Sequence, residues 1–151
     1  MKPKFIAVYL VYSSEKDNPL YLLIRRCKTT SFPKIWQIVT GKVELEENVK
    51  NAAFREVKEE TGISDVELYN VDVTMFYEQS KDSIAFSSNF CGYVNSSNPV
   101  NISEHEHDDF KWCYFEEAYK LLAFPSQKET LSFIHTHFVI QKPDCVSKVE
   151  K

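Results

Sequence analysis

Glycine occurs only three times in 151 residues, which excludes a collagen-like repeat. No apolar stretch approaches the roughly 18 residues of a membrane-spanning helix, so no membrane partner is expected. Positive charge is not in surplus either: 18 Lys+Arg stand against 22 Asp+Glu, for a formal net charge of −4. The chain therefore lacks the broad basic surface that binding to a nucleic-acid polymer requires, and an anionic ligand needs a local site or a metal. Cysteines are few and scattered. Cys27, Cys91, Cys113 and Cys145 form no Cys-x-x-Cys pair and have no His at zinc-finger spacing, so they read as reduced thiols of a cytoplasmic protein. No cleavable leader is expected either. Phe5 to Tyr12 follows Lys2 and Lys4 as a signal core would, but it is rich in aromatic and β-branched residues and runs into Ser13 and Ser14 without a small-residue cleavage site. That segment reads as a β-strand.

What is present suits one globular domain. Apolar residues make up 43% of the chain, aromatic residues 14% and charged residues 26%, enough for a real core and against disorder. Phe5 to Tyr12 and Leu20 to Arg26 read as a hairpin around a turn at residues 15–19. A polar loop over 27–35 precedes a short extended piece from Trp36 to Val39 that stops at Gly41. Glu47 to Thr61 has helical length and composition, with Gly62 as its stop signal. Val66 to Tyr77, Ser83 to Val94 and Phe110 to Phe115 read as strands, with a loop over 95–101. Glu116 to Ala123 and Lys128 to Phe138 read as helices. The expected organisation is one α+β domain over residues 1–140 and a polar, frayed tail over 141–151.

The segment from Gly41 to Ile63 carries the chemistry. At about 100° per residue, Glu56, Glu59 and Glu60 fall within one arc of a helix, shared with Val49, Ala52 and Ala53, while Asn51, Arg55 and Lys58 point largely the other way. A solvated acidic stripe is the simple reading, but it carries two penalties. Like charges at i,i+4 destabilise by roughly 0.2–0.5 kcal/mol per pair. Anions in the last turn oppose the helix dipole by about 0.3–1 kcal/mol each. A bound divalent cation would relieve both, and clustered carboxylates select a hard ion, Mg²⁺ or Mn²⁺, over zinc. Such an ion keeps waters and shares its coordination sphere with phosphates, so one helix face offers a phosphate anchor and a means of activating water.

The same segment resembles the Nudix box, Gly-x5-Glu-x7-Arg-Glu-(apolar)-x-Glu-Glu-x-Gly-(apolar). It matches at Gly41, Glu47, Arg55, Glu56, Val57, Glu59, Glu60, Gly62 and Ile63; seven fixed identities arise by accident about once in 10⁸ placements. Two of the three glycines lie in it, as its turn and helix stop require. The resemblance implies a Nudix-type α/β/α sandwich with a central mixed β-sheet, covering residues 4 to about 138. It implies that Glu56, Glu59 and Glu60 hold metal, with Glu56 and Glu60 ahead of Glu59, and that the Gly41 carbonyl adds a ligand. Arg55 would orient these carboxylates, with Glu47 as its structural partner, and one carboxylate would deprotonate the attacking water.

Outside the box, Ser103 to Trp112 resembles the acidic loop that supplies the family with a further ligand or base. Glu106 fits best, and Glu104 shares its face if the stretch is extended. A solvated polar loop is the plain alternative. His105, His107, His135 and His137 form two His-x-His pairs on separate elements, the alternative of a zinc site. Arg25 and Arg26 end the second strand, where one arginine could clamp phosphate; alternation sends the two to opposite faces. Trp36, Tyr77 and Phe86 could stack a base or fill the core.

Trp36-Gln37-Ile38-Val39-Thr40-Gly41 resembles the Trp-Gln-x-Val-Thr-Gly of the dATP and dihydroneopterin triphosphate pyrophosphohydrolase branch. Glu46 departs from the glycine common at that position. The resemblance thus implies a Mg²⁺- or Mn²⁺-dependent hydrolase that converts a nucleoside or pterin triphosphate to the monophosphate and pyrophosphate. The alternatives are a dinucleoside polyphosphate hydrolase and a catalytically silent nucleotide-binding module.

Overall fold

The central strand sets the architecture. In the computed structural model, which describes all residues except 15–16, 31, 96–97, 142 and 144–146, strand β1 (Phe5–Ser14) has six consecutive buried residues from Ile6 to Val11. Alternation sends Ile6, Val8 and Leu10 to one layer and Ala7, Tyr9 and Val11 to the other. A strand covered on both faces has no polar side, which is why this one reads as a continuous apolar run.

Strand β1 is antiparallel to β2 (Asp17–Arg26) and parallel to β6 (Ser83–Val94), which pairs with β5 (Val66–Glu78). Strand β7 (His107–Tyr114) lies along the outer edge of β2. The expected extended piece at Trp36 to Val39 is two strands. β3 (Trp36–Gln37) pairs with Arg25 and Ile24 of β2, and β4 (Val39–Lys42) pairs with Phe5 to Val8 of β1. Since β6 occupies the other edge of β1, and β7 the other edge of β2, residues 36–42 lie in the fork where β1 and β2 diverge. Gly41 is thus inside a strand and does not end one.

Helix α1 (Val49–Thr61) buries Ala52, Ala53 and Val57 on the Ile6–Val8–Leu10 layer. Helices α2 (Phe115–Leu121) and α3 (Pro125–Ile134) bury Ala118, Leu131 and Ile134 on the opposite one. The result is the α/β/α sandwich around a mixed sheet that the resemblance implies.

The element ends differ from expectation for local reasons. α1 starts at Val49 because the Asn48 side chain accepts the Asn51 N–H at 2.9 Å, which leaves Glu47 outside the helix. Gly62 closes it at φ 76°, its N–H donating to the Lys58 carbonyl at 2.8 Å, a conformation that favours glycine. α3 begins at Pro125, whose missing N–H costs nothing in the first turn. In the tail, β8 (Lys148–Val149) pairs with Tyr69 and Leu68, and Val149 packs on the α1-side core, where a frayed segment is expected. Part of the turn at 15–19, part of the loop at 95–101, and Cys145 lie outside the described residues. Cys27, Cys91 and Cys113 are buried and free. No helix among the described residues is long and apolar enough to cross a membrane.

Candidate active site

The acidic face of α1 is split by burial. Glu60 is only 4% exposed, and its Oε2 has no hydrogen-bond partner. Burial holds its pKa well above the ordinary carboxylate value, helped by the nearby charges of Glu56 and Glu106 and opposed by the Thr40 amide and Arg26. Glu56, partly buried, is also raised by burial, against the lowering effect of Arg55. Glu59 is 58% exposed and faces solvent.

Arg55 joins the acids and does not point away from them as the helical wheel suggests. Its Nε and Nη2 donate to the two carboxylate oxygens of Glu47 at 2.8 and 2.9 Å. Its Nη1 reaches Glu56 at 2.7 Å and Glu59 at 3.1 Å, and Nη2 also donates to the Lys42 carbonyl at 2.9 Å. A long guanidinium can bend back over the helix end, which projection of Cβ directions alone misses. The pair holds the Glu47 carboxyl down at about 2, chiefly through the Arg55 bonds. Gly41 sits directly under Glu56: a Cβ there would lie 2.1 Å from the Glu56 Cδ. Glycine is required so that this carboxylate can lie against β4.

The second half of the site arrives from β7. The turn at 103–106 is pinned by the Ser103 carbonyl, which accepts the N–H groups of Glu106 at 3.1 Å and His107 at 2.9 Å. Cys27 ties it to the end of β2, its N–H donating to the Glu106 carbonyl at 3.0 Å and its thiol to that of His105 at 3.2 Å. His107 then pairs with Arg26 across the β2–β7 ladder. Ligand atoms of Glu60, Glu106 and His107 consequently lie within 4.8 Å of one another. His107 is 2% exposed with neither ring nitrogen partnered. Burial, aided by Arg26, holds its pKa down at about 4, so the imidazole is neutral at pH 7.

Residues 3–134 match the family model of the NUDIX domain. The chain belongs to the NUDIX domain family. It is 34% identical over 92 residues to the asymmetrical bis(5′-nucleosyl)-tetraphosphatase of Caenorhabditis elegans, a match covering 59% of this chain and 65% of that one. It is 28% identical over 129 residues to an octanoyltransferase of Myxococcus xanthus, covering 83% and 35% respectively. The chain thus spans less than two thirds of the length of these curated relatives. The structure of Escherichia coli dihydroneopterin triphosphate pyrophosphohydrolase superposes with a TM-score of 0.73 at 26% identity, covering 93% of this chain and 99% of that one.

The remaining candidates can now be placed around the Nudix box. Glu106 is beside Glu60 and Glu104 is not in that group; the stretch is a turn, so the alternation that paired the two does not apply. The four histidines do not gather. His135 bonds the Tyr21 hydroxyl at 2.6 Å and stacks on Phe115 in the α2–α3 layer, and His137 packs on Phe133. Arg26 bears on Glu60 and His107, whereas Arg25 is tied to Asp108 at 2.8 Å and lies 5.6 Å over the Trp36 ring. Trp36 packs on the α2–α3 core. Tyr77 is exposed on the β5–β6 hairpin, bonded to Asp82, with Phe86 half-buried nearby on β6. A cleft of about 470 Å³ between Tyr12, Asp65 and Tyr93 shares none of the box residues.

His107 belongs to this cluster without being singled out by the sequence, and Gln37 is buried on the same layer. His107 was legible only as one of four scattered histidines, though its position directly after Glu106 was the available signal. Gln37, 4% exposed with an unpartnered Nε2, pairs with Ile24 in the ladder and so shares the α1-side face. Nothing in its sequence context marks that burial.

Proposed function

We propose that this chain is a divalent-metal-dependent hydrolase of phosphoric anhydride bonds, converting a nucleoside or pterin triphosphate to the monophosphate and pyrophosphate. The observation that carries the reading is Glu60, a buried carboxylate with an unpartnered oxygen, whose ligand atom lies within 4.8 Å of that of Glu106. An ionised group in that position needs a cation, and a donor set in which carboxylates predominate fits Mg²⁺ or Mn²⁺.

Glu56 and Glu60 are the main ligand candidates, with Glu59, Glu106 and the Gly41 carbonyl completing the set. When bound, the ion supplies Lewis acidity to phosphate oxygens and lowers the pKa of water. A carboxylate of Glu56, Glu59 or Glu106 that the ion leaves uncoordinated would take the proton from the attacking water. Arg55 fixes the rotamers of Glu56 and Glu59 and is itself anchored by Glu47. Arg26, on the carboxylate side, is the phosphate clamp, while Arg25 must first leave Asp108. The base would be held by apolar contacts, which discriminate weakly; Trp36, packed on the α2–α3 core, lies on the other face of the sheet from the carboxylates. With net charge −4, small nucleotides rank ahead of nucleic-acid polymers as substrates. The free thiols suit a reducing cytoplasm.

A dinucleoside tetraphosphate is the second reading, favoured by the 34% identity to the C. elegans tetraphosphatase. Hydrolysis in ¹⁸O-water of nucleoside triphosphates, dihydroneopterin triphosphate and dinucleoside tetraphosphate at equal concentration separates the two. Monophosphate and pyrophosphate with limited base selectivity are expected. Turnover at least about tenfold more efficient on the dinucleoside substrate would replace the first reading by the second.

A further inference from the structure

We infer that His107 is a nitrogen ligand of the site's cation, and that the set Glu60, Glu106 and His107 selects a first-row transition ion over Mg²⁺. This rests on the reading of the carboxylates as a metal site and goes beyond it by naming a donor outside the box and the ion class that donor favours.

Three observations converge. His107 is 2% exposed, and both of its ring nitrogens lack a partner. A neutral imidazole carries one N–H donor and one acceptor, a buried ring with both unmet is rare, and a cation would meet the acceptor nitrogen. The second observation is distance. Donors at about 2.1 Å from a common centre lie up to about 4.2 Å apart, and these three lie within 4.8 Å of one another. A shift of about half an ångström, within side-chain adjustment, closes the set. The third is rigidity: the ring is presented from the first residue of β7, with the backbone held by Ser103 and the β2 ladder, so little ordering remains to be done on binding.

The chemistry of the donors sets the ion. Mg²⁺ is a hard ion that takes oxygen ligands and gives up water reluctantly. Imidazole binds first-row transition ions, with affinity rising along the series from Mn²⁺. A carboxylate pair alone would leave Mg²⁺ competitive at its higher abundance, and one nitrogen donor tilts the balance. The other histidines cannot substitute: His135 and His137 are engaged in the opposite layer, and His105 does not belong to the group.

The test uses the full chain stripped of metal and loaded with one equivalent of Mn²⁺, read by pulsed electron paramagnetic resonance. A directly coordinated imidazole gives a ¹⁴N modulation on bound Mn²⁺, and growth on ¹⁵N-histidine should replace it with the ¹⁵N pattern. The signal is expected to survive His105→Gln and to vanish in His107→Gln. In competition, the Mg²⁺ concentration that displaces half of the Mn²⁺ should fall about tenfold or more in His107→Gln. Should that variant not fold, the labelled wild type and His105→Gln still decide. Bound Mn²⁺ with no nitrogen coupling in the wild type overturns the role of His107 and leaves the carboxylate site standing, the ring then being satisfied by water. Failure of the wild type to bind Mn²⁺ at all overturns both readings.

Discussion

Glu60→Gln should make the metal-free protein more stable while removing its function. Glu60 is buried with one oxygen unpartnered and a second held by the Thr40 amide. Glutamine keeps the volume, lets its carbonyl accept from Thr40, and replaces the orphaned carboxylate oxygen by an uncharged amide donor in a group that includes Glu106. Relieving an unsatisfied buried group is worth about 1–3 kcal/mol. At about 2–4 °C per kcal/mol for a chain of this length, a gain of about 2 kcal/mol raises the metal-free midpoint by about 4–8 °C. The pH dependence has a definite sign. Because the folded pKa of Glu60 lies above its unfolded value, ionisation destabilises the native state, and the penalty grows as pH rises from the ordinary carboxylate range through the folded pKa. The gain from the variant should therefore be absent at about pH 4 and complete at alkaline pH. Metal reverses the order. At about 100 times its dissociation constant, Mn²⁺ stabilises the wild type by about 2.7 kcal/mol and should leave Glu60→Gln almost unmoved. Thermal melts across pH, with and without Mn²⁺, decide the matter. A destabilised metal-free variant, or one that responds to Mn²⁺ like the wild type, refutes the assignment of Glu60 as a metal-requiring buried charge.

Arg55→Met should cost about 1–3 kcal/mol, between an exposed and a buried ion pair. The Glu47 carboxyl is held at about 2, so the pair stabilises above the unfolded carboxylate pKa and is lost as pH falls towards 2. The gap to wild type in urea denaturation must narrow over that window, and a gap independent of pH would count against the pairing. Gly41→Ala places a Cβ 2.1–2.4 Å from Glu56 side-chain atoms. It should lower kcat on the order of 10²-fold through displacement of that carboxylate, and unchanged kcat would show that Glu56 need not lie against β4. Exhaustive EDTA treatment should abolish turnover, restored by Mg²⁺ or Mn²⁺, with a rate that rises toward alkaline pH; full turnover in EDTA would remove the metal from the reaction.

The helix that carries the acids was legible because its determinants are local. The i, i+3, i+4 spacing of Glu56, Glu59 and Glu60 and the Gly62 stop act within a few residues, where the 3.6-residue period fixes which side chains share a face; the start at Asn48 was not read. The strand at Phe5 to Tyr12 was legible for the same reason, in its run of aromatic and β-branched residues, while its burial on both faces came with the fold. Periodicity says nothing about which acid of the shared face is buried. Glu60 lies under β4 and Glu59 in solvent because residues 36–42 fill the fork between β1 and β2. Nor does it say that His107 meets Glu60: that contact depends on the β2–β7 register and on the turn at 103–106, which breaks the alternation that would have sent Glu106 and His107 to opposite faces. Local geometry is written in residues that are neighbours along the chain, whereas the distance between α1 and β7 is set by the order of the strands between them, and only the folded sheet supplies that.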